Sequence, residues 1–179
     1  MALLAVDHFN ARNSDVVADL ADYDACPIVL NGTIYDTGYT DVNGVKQYTR
    51  MYSEPDVNFD AIVGAARSAV SGPIATLAGI DQIPQVSYWS TSAGLEDKGA
   101  YPYFLRTIPS DSAVSYGAAQ LFDSFAYEEV GMLYVNDAYG QNYAEGFMAT
   151  AAEFGIAVAE KGFSFNSQNS IDLALQAMV

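Results

Sequence analysis

One histidine, His8, and one cysteine, Cys26, are all that the 179 residues offer for the commonest proton-transfer and nucleophilic chemistry. Ser–His–Asp and Cys–His arrangements have almost nothing to work with, and neither a zinc cluster nor an internal disulfide can be assembled. His8 reads as a helix-surface residue. Cys26 reads as a buried thiol or as half of a disulfide whose partner is missing. The run Gly64-Ala65-Ala66-Arg67-Ser68 has neither the glycines nor the lysine of a phosphate-binding loop. The chemistry that remains is recognition, and 13 Tyr and 9 Phe supply rings with and without polar tips for it.

The elements that must position such residues follow from hydrophobic period and turn chemistry. Ala2 to Arg12 places Ala2, Leu3, Val6 and Phe9 on one helical face. Tyr23 to Tyr35 is strand-like through Ile28, Val29, Leu30, Ile34 and Tyr35. Thr40 to Tyr52 fits a helix through Val42, Val45, Tyr48 and Met51, although Asn43-Gly44 is also a hairpin signal; the helix is the reading preferred. A clear alternation starts at residue 59. Strands are expected at Phe59–Val63, Ile83–Tyr88, Tyr103–Thr107, Val130–Val135 and Ile156–Phe165. Between them lie helices from Ser68 to Ala78, closed by Gly79, from the Ser110-Asp111 cap through Phe125, and from Asn142 to Phe154, stopped by Gly155. A last helix, Ile171–Met178, is capped by Ser170.

Strands separated by helices of this length imply parallel βαβ units and an α/β layered fold. Ligands in such folds sit beyond the carboxyl ends of strands, near the free N–H groups of helix starts. That singles out four loops: those after Val63, Tyr88, Thr107 and Val135.

Composition narrows the function further. The chain is 51% apolar, enough for a sizeable core, and its formal net charge is −15. So acidic a surface repels phosphate backbones and anionic lipid, which argues against nucleic-acid or membrane-surface binding. No apolar run approaches a membrane span, and Met1 to Val6 is too short for the core of a signal peptide. The one glycosylation sequon is Asn31-Gly32-Thr33.

The run from Ile83 to Lys98 (IPQVSYWSTSAGLEDK), followed by Tyr101 to Asp111 (YPYFLRTIPSD), closely resembles the receptor ligand-binding region. That is the extracellular family of class C G-protein-coupled receptors and natriuretic-peptide receptors. Ala5 to Asn10 (AVDHFN), Ile62 to Ser68 (IVGAARS) and Tyr134 to Gly140 (YVNDAYG) agree with it in order and spacing. The resemblance implies a type I periplasmic-binding-protein-like fold, with parallel sheets flanked by helices. It also implies two lobes, residues 1–107 and 108–179, and a chain holding most of the first lobe and the start of the second.

The family's ligand lies between the lobes, and the resemblance assigns contacts residue by residue. Ser68 matches a serine that binds a ligand α-carboxylate in metabotropic glutamate receptors; by itself it also reads as a simple helix cap. Ser90 matches a GABA-B serine, and Thr91 matches the glutamate receptors' threonine. Asp111 matches an aspartate that pairs with the α-ammonium, against a plain reading as a helix-start carboxylate. Tyr139 matches a ring packed over that ammonium. Asp137 reads as the cap of the following helix rather than as a contact.

Three residues depart from the pattern. Ala65 follows Gly64 where the family writes proline. Arg67 stands near a common cysteine, so the usual disulfide to the Cys26 region cannot form; its side chain either adds a second anion contact or points to solvent, and solvent is the reading preferred. Trp89 replaces something small, and either walls the pocket or covers the lobe's edge.

The function implied is part of a receptor ectodomain that closes on a small amino-acid-like ligand, on the extracellular side of the plasma membrane. It would need no cofactor, would carry out no enzymatic step, would act as a dimer and would reach the membrane through segments outside this chain. The alternative from another class is a soluble solute-binding protein of an amino-acid ABC transporter, which shares fold and pocket.

Overall fold

A computed structural model describes residues 2–54 and 58–178. The chain divides into two compact units, one up to Tyr35 and one from Asp36 onward.

The first unit opens with helix α1 (Ala2–Asn10), followed by a 3-10 turn at Ala18–Tyr23. Arg12 organises the unit. Its guanidinium donates to the carbonyls of Phe9, Tyr23, Cys26 and Ile28, the Cys26 bond being 2.6 Å, and lies 4.6 Å from the Phe9 ring centre. The strand expected over Tyr23–Tyr35 does not form. The side-chain amide of Asn10 takes both backbone groups of Leu30, at 2.8 and 2.7 Å, where a neighbouring strand would otherwise bond. Without a pairing strand the apolar alternation yields only extended coil, with Val29 76% exposed. Cys26 is a free, half-buried thiol.

The second unit is α/β. Helix α2 (Asp41–Ser53), capped by Thr40, is followed by strand β1 (Ile62–Val63), helix α3 (Ser68–Ile80), strand β2 (Gln85–Ser87) and, after a 3-10 turn at Ala93–Glu96, strand β3 (Phe104–Arg106). These strands form one parallel sheet in the order β1-β2-β3, with Ile62 opposite Gln85 and Gln85 opposite Phe104. Helix α4 (Asp111–Ser124), strand β4 (Glu129–Val135), helix α5 (Ala138–Glu153), strand β5 (Ala157–Phe163) and helix α6 (Gln168–Gln176) make a second layer. In it β4 and β5 pair in parallel, from Glu129 opposite Ala157 to Val135 opposite Phe163. The chain passes from the first layer to the second once, through residues 107–110.

Each layer has its own apolar core. Tyr48, Val70, Ile74 and Ala78 bury α2 against α3, and Ala75, Leu95 and Phe104 fill the other face of α3. Ala119, Phe147, Ala151 and Ile156 join α4, α5 and β5. Gly44 decides the ambiguity of Asn43-Gly44: it is a helical crossing point, where a Cβ would stand 2.8 Å from the Val70 side chain.

Several ends differ from expectation. Helix α3 passes Gly79 and stops at Ile80, with Gln82 in the left-handed region at φ 59°. Helix α5 begins at Ala138 rather than Asn142 because Asp137 caps it, and α6 begins at Gln168 under Ser167. Gly155 does end α5, at φ 74°.

Candidate functional site

The loops after β1 and β2 are held in place by serine hydroxyls. Ser71, wholly buried on α3, sits 3.0 Å from the Ala65 nitrogen and 3.1 Å from the Ala65 oxygen. Ser87 donates to the same Ala65 carbonyl at 2.6 Å and accepts from the backbone of Ser90 at 2.9 Å. Ser90 is itself fully buried; its hydroxyl lies 2.8 Å from that of Ser71 and within reach of the Ala65 and Ala66 carbonyls. Beneath them Gln85 donates to the Gly64 carbonyl at 2.8 Å. Ser68, the first residue of α3, accepts from the backbone of Ser92 at 3.2 Å and so ties the helix start to the second loop.

Arg106 clamps that second loop from β3. Its Nη1 donates to Ser92 O at 2.9 Å and to Ser90 O at 3.3 Å, and its Nη2 to Glu96 Oε1 at 3.1 Å. The two carbonyls it holds flank Thr91. The Thr91 carbonyl in turn accepts from Asp111 N at 2.9 Å, which fixes the start of α4 beside the loop.

Asp111 is 7% exposed, and its Oδ2 has no hydrogen-bond partner. A buried carboxylate oxygen left unpaired is costly unless something supplies the missing donor. Two phenols stand close by. The Tyr139 hydroxyl is pushed above its ordinary value first by burial and then by the negative charge of Asp111, while a side-chain hydrogen bond with Thr91 pulls it the other way. The Tyr143 hydroxyl is raised by burial and again by Asp111. The two rings are tilted by 39°, with centres 6.4 Å apart.

Thr91, Asp111 and Tyr139 are therefore brought together, and Ser68 joins them through Ser92. Ser90 lies in the same loop with its hydroxyl turned into the bracing network. Trp89, in the same loop, is 68% exposed. A cavity of about 510 Å³ opens beside this cluster, between the starts of α3 and α5, lined among others by Ser68, Ser92, Asn136, Asp137 and Asn142. Of the expected contacts Ser68 borders it, whereas Thr91, Asp111 and Tyr139 do not. The unpaired carboxylate oxygen of Asp111 thus belongs to the cluster and not to the cavity wall.

Two residues went unassigned in the sequence. Tyr143 follows Tyr139 by four positions, the spacing that shares a helix face. Arg106 lies inside the run that carries the resemblance, but nothing in its spacing announces a clamp. The expectation that Arg67 points to solvent is overturned: its Nη2 lies 2.6 Å from Asp137 Oδ2, and its Nη1 donates to Tyr39 O at 3.1 Å. Asp137 does cap α5, accepting from Gly140 N at 2.9 Å through Oδ1.

Among the described residues no cluster of His, Cys, Asp and Glu is placed to hold a metal ion, and no helix is long and apolar enough to cross a membrane.

Residues 2–178 match the family model described as the receptor family ligand binding region. The chain is 34% identical over 122 residues to the probable metabotropic glutamate receptor mgl-1 of Caenorhabditis elegans, covering 68% of this chain and 12% of that protein. It is 32% identical over 147 residues to G-protein coupled receptor family C group 6 member A of Carassius auratus, covering 75% of this chain and 17% of the relative. With the human extracellular calcium-sensing receptor it shares 40% identity over 98 residues, covering 55% and 9% of the two chains. The chain thus spans a small part of the length of the curated relatives it matches.

Proposed function

The chain belongs to the receptor-family ligand-binding region, and from that premise we propose that it binds a small amino-acid-like ligand as part of a class C receptor ectodomain. The family consists of receptor ligand-binding domains and not of enzymes. In this reading residues 1–107 and 108–179 belong to two lobes that close on the ligand. The ectodomain faces the outside of the cell, pairs with a second copy and continues into membrane segments beyond this chain.

The observation that carries the reading is the unpartnered Asp111 Oδ2, buried beside Tyr139 and Thr91. An α-ammonium would give that oxygen its donor and lie against the Tyr139 ring. The ligand carboxylate would meet the free N–H groups at the start of α3 and the Ser68 hydroxyl.

Titration calorimetry of the chain against a panel of the common amino acids tests this. At least one is expected to bind, and Asp111→Asn is expected to weaken it by about 2–3 kcal/mol, roughly a hundred-fold. Ser68→Ala is expected to have a smaller effect of about 1 kcal/mol. Binding that survives Asp111→Asn unchanged, or no binding by any amino acid, would overturn the assignment.

A further inference from the structure

We propose that Arg67 and Asp137 form a latch that sets how far apart the two layers of the second unit stand, and with it the opening of the site between them. The proposal rests on the reading of that site given above. The two residues are 70 positions apart and occupy matching places: Arg67 is the residue immediately before α3, and Asp137 is the one immediately before α5. Each helix belongs to a different sheet layer. Their 2.6 Å contact therefore bridges layers that the chain itself joins only once, at residues 107–110.

The pair is built to persist. Asp137 divides its carboxylate, one oxygen capping α5 through Gly140 N and the other receiving Arg67. Arg67 is tethered on its own side by its bond to the Tyr39 carbonyl. The guanidinium is 40% and the carboxylate 20% exposed, so solvent screens the pair less than an open surface bridge. A cation at a helix start is electrostatically misplaced, because the N-terminal end of the helix is itself positive. Asp137 corrects this only while the layers are close. Separation leaves Arg67 facing the positive end of α3 without its counter-charge.

The ion pair adds to the ties already made at the covalent crossing. Residues 107–110, the Asp111 N to Thr91 O bond and the Tyr139–Thr91 hydrogen bond join the layers through the second loop, and Arg67–Asp137 joins the starts of α3 and α5, on the border of the cavity where Ser68 and Asn142 also lie. An ion pair across two layers has two discrete arrangements, made and broken, which both a ligand and a substitution can bias.

The test uses the full chain carrying Cys26→Ser, with spin labels on cysteines introduced at the exposed positions Thr49 in α2 and Asp123 in α4, and reads their distance by double electron–electron resonance. Asp137→Asn keeps an oxygen for the helix cap while removing the charge, so it isolates the ion pair from the cap. Arg67→Gln and Asp137→Asn are each expected to shift the distance distribution to longer values and broaden it, with the double variant no different from either single one. Apparent affinity for glycine, the bare amino-acid head, is expected to fall roughly five-fold in both single variants. Single variants with the parent distribution, or a double variant whose shift is the sum of the two, would overturn the latch. A parent chain that binds no glycine counts against the reading of the site, while the distance measurement, which needs no ligand, still decides the latch.

Discussion

Asp111 and Tyr48 show what a single buried polar group asks of its surroundings. Asp111 keeps one oxygen free, whereas Tyr48 is 3% exposed and donates to Asp81 Oδ2 at 2.5 Å, so its polar atom is satisfied inside the α2–α3 core. Burial first, and then that carboxylate, push the Tyr48 hydroxyl far above its ordinary value of 10.0. Folded Tyr48 holds its proton more tightly than unfolded tyrosine does, so its contribution to stability is full below about pH 10 and is lost as the pH rises toward the folded-state value. Urea unfolding at pH 8 and at pH 11 should therefore show an alkaline loss, and Tyr48→Phe should reduce it, leaving the share of Tyr139 and Tyr143, while lowering stability at pH 8 by about 1 kcal/mol. Ser71 is the other telling residue. Ser71→Ala would strip the Ala65 amide and the Ser90 hydroxyl of a partner at a wholly buried point, and should cost about 1–3 kcal/mol in the same assay.

Elements were legible in the sequence where hydrophobic period and caps agreed. The alternation from β1 to β5 and the Gly155 stop are of this kind, because helix and strand periods differ and glycine alone takes φ 74° without strain. Tyr23–Tyr35 misled because apolar alternation reports a half-buried surface, and here Asn10 rather than a strand occupies the Leu30 backbone. At the site, the cluster of Thr91, Asp111 and Tyr139 followed from loops at strand ends and from the family likeness. Arg106 and the Arg67–Asp137 pair did not, since long side chains reach partners that no local spacing encodes. The helices also give a paired test. Gly44→Ala places a methyl 2.8 Å from Val70, and the crowding should outweigh the gain in helix propensity for a net loss of about 1 kcal/mol. Gly117→Ala on the open face of α4 meets nothing within 4 Å and should gain about 0.5–1 kcal/mol in thermal unfolding.

At the scale of the whole molecule the dominant feature is charge. A formal net charge of −15 opposes compaction through self-repulsion that salt screens. Raising sodium chloride from 20 to about 300 mM should accordingly raise the melting temperature by several degrees, even though it weakens the three ion pairs among the described residues. A melting temperature that falls with salt would mean that these pairs outweigh the general repulsion.

The sequential order of the two layers has a bearing on how the chain comes off the ribosome. Every element of the first layer is complete by Arg106, whose own partners Ser90, Ser92 and Glu96 have already been synthesised no more than 16 residues earlier. The second-loop clamp can close on the nascent chain as soon as β3 has emerged. Arg67 has the Tyr39 carbonyl from the start, but its counter-charge, Asp137, arrives only 70 residues later. For that interval, several seconds at ordinary elongation rates of about 5–20 residues per second, the start of α3 carries a cation with nothing to balance it. The first layer is thus born poised, and the arrival of the second completes it.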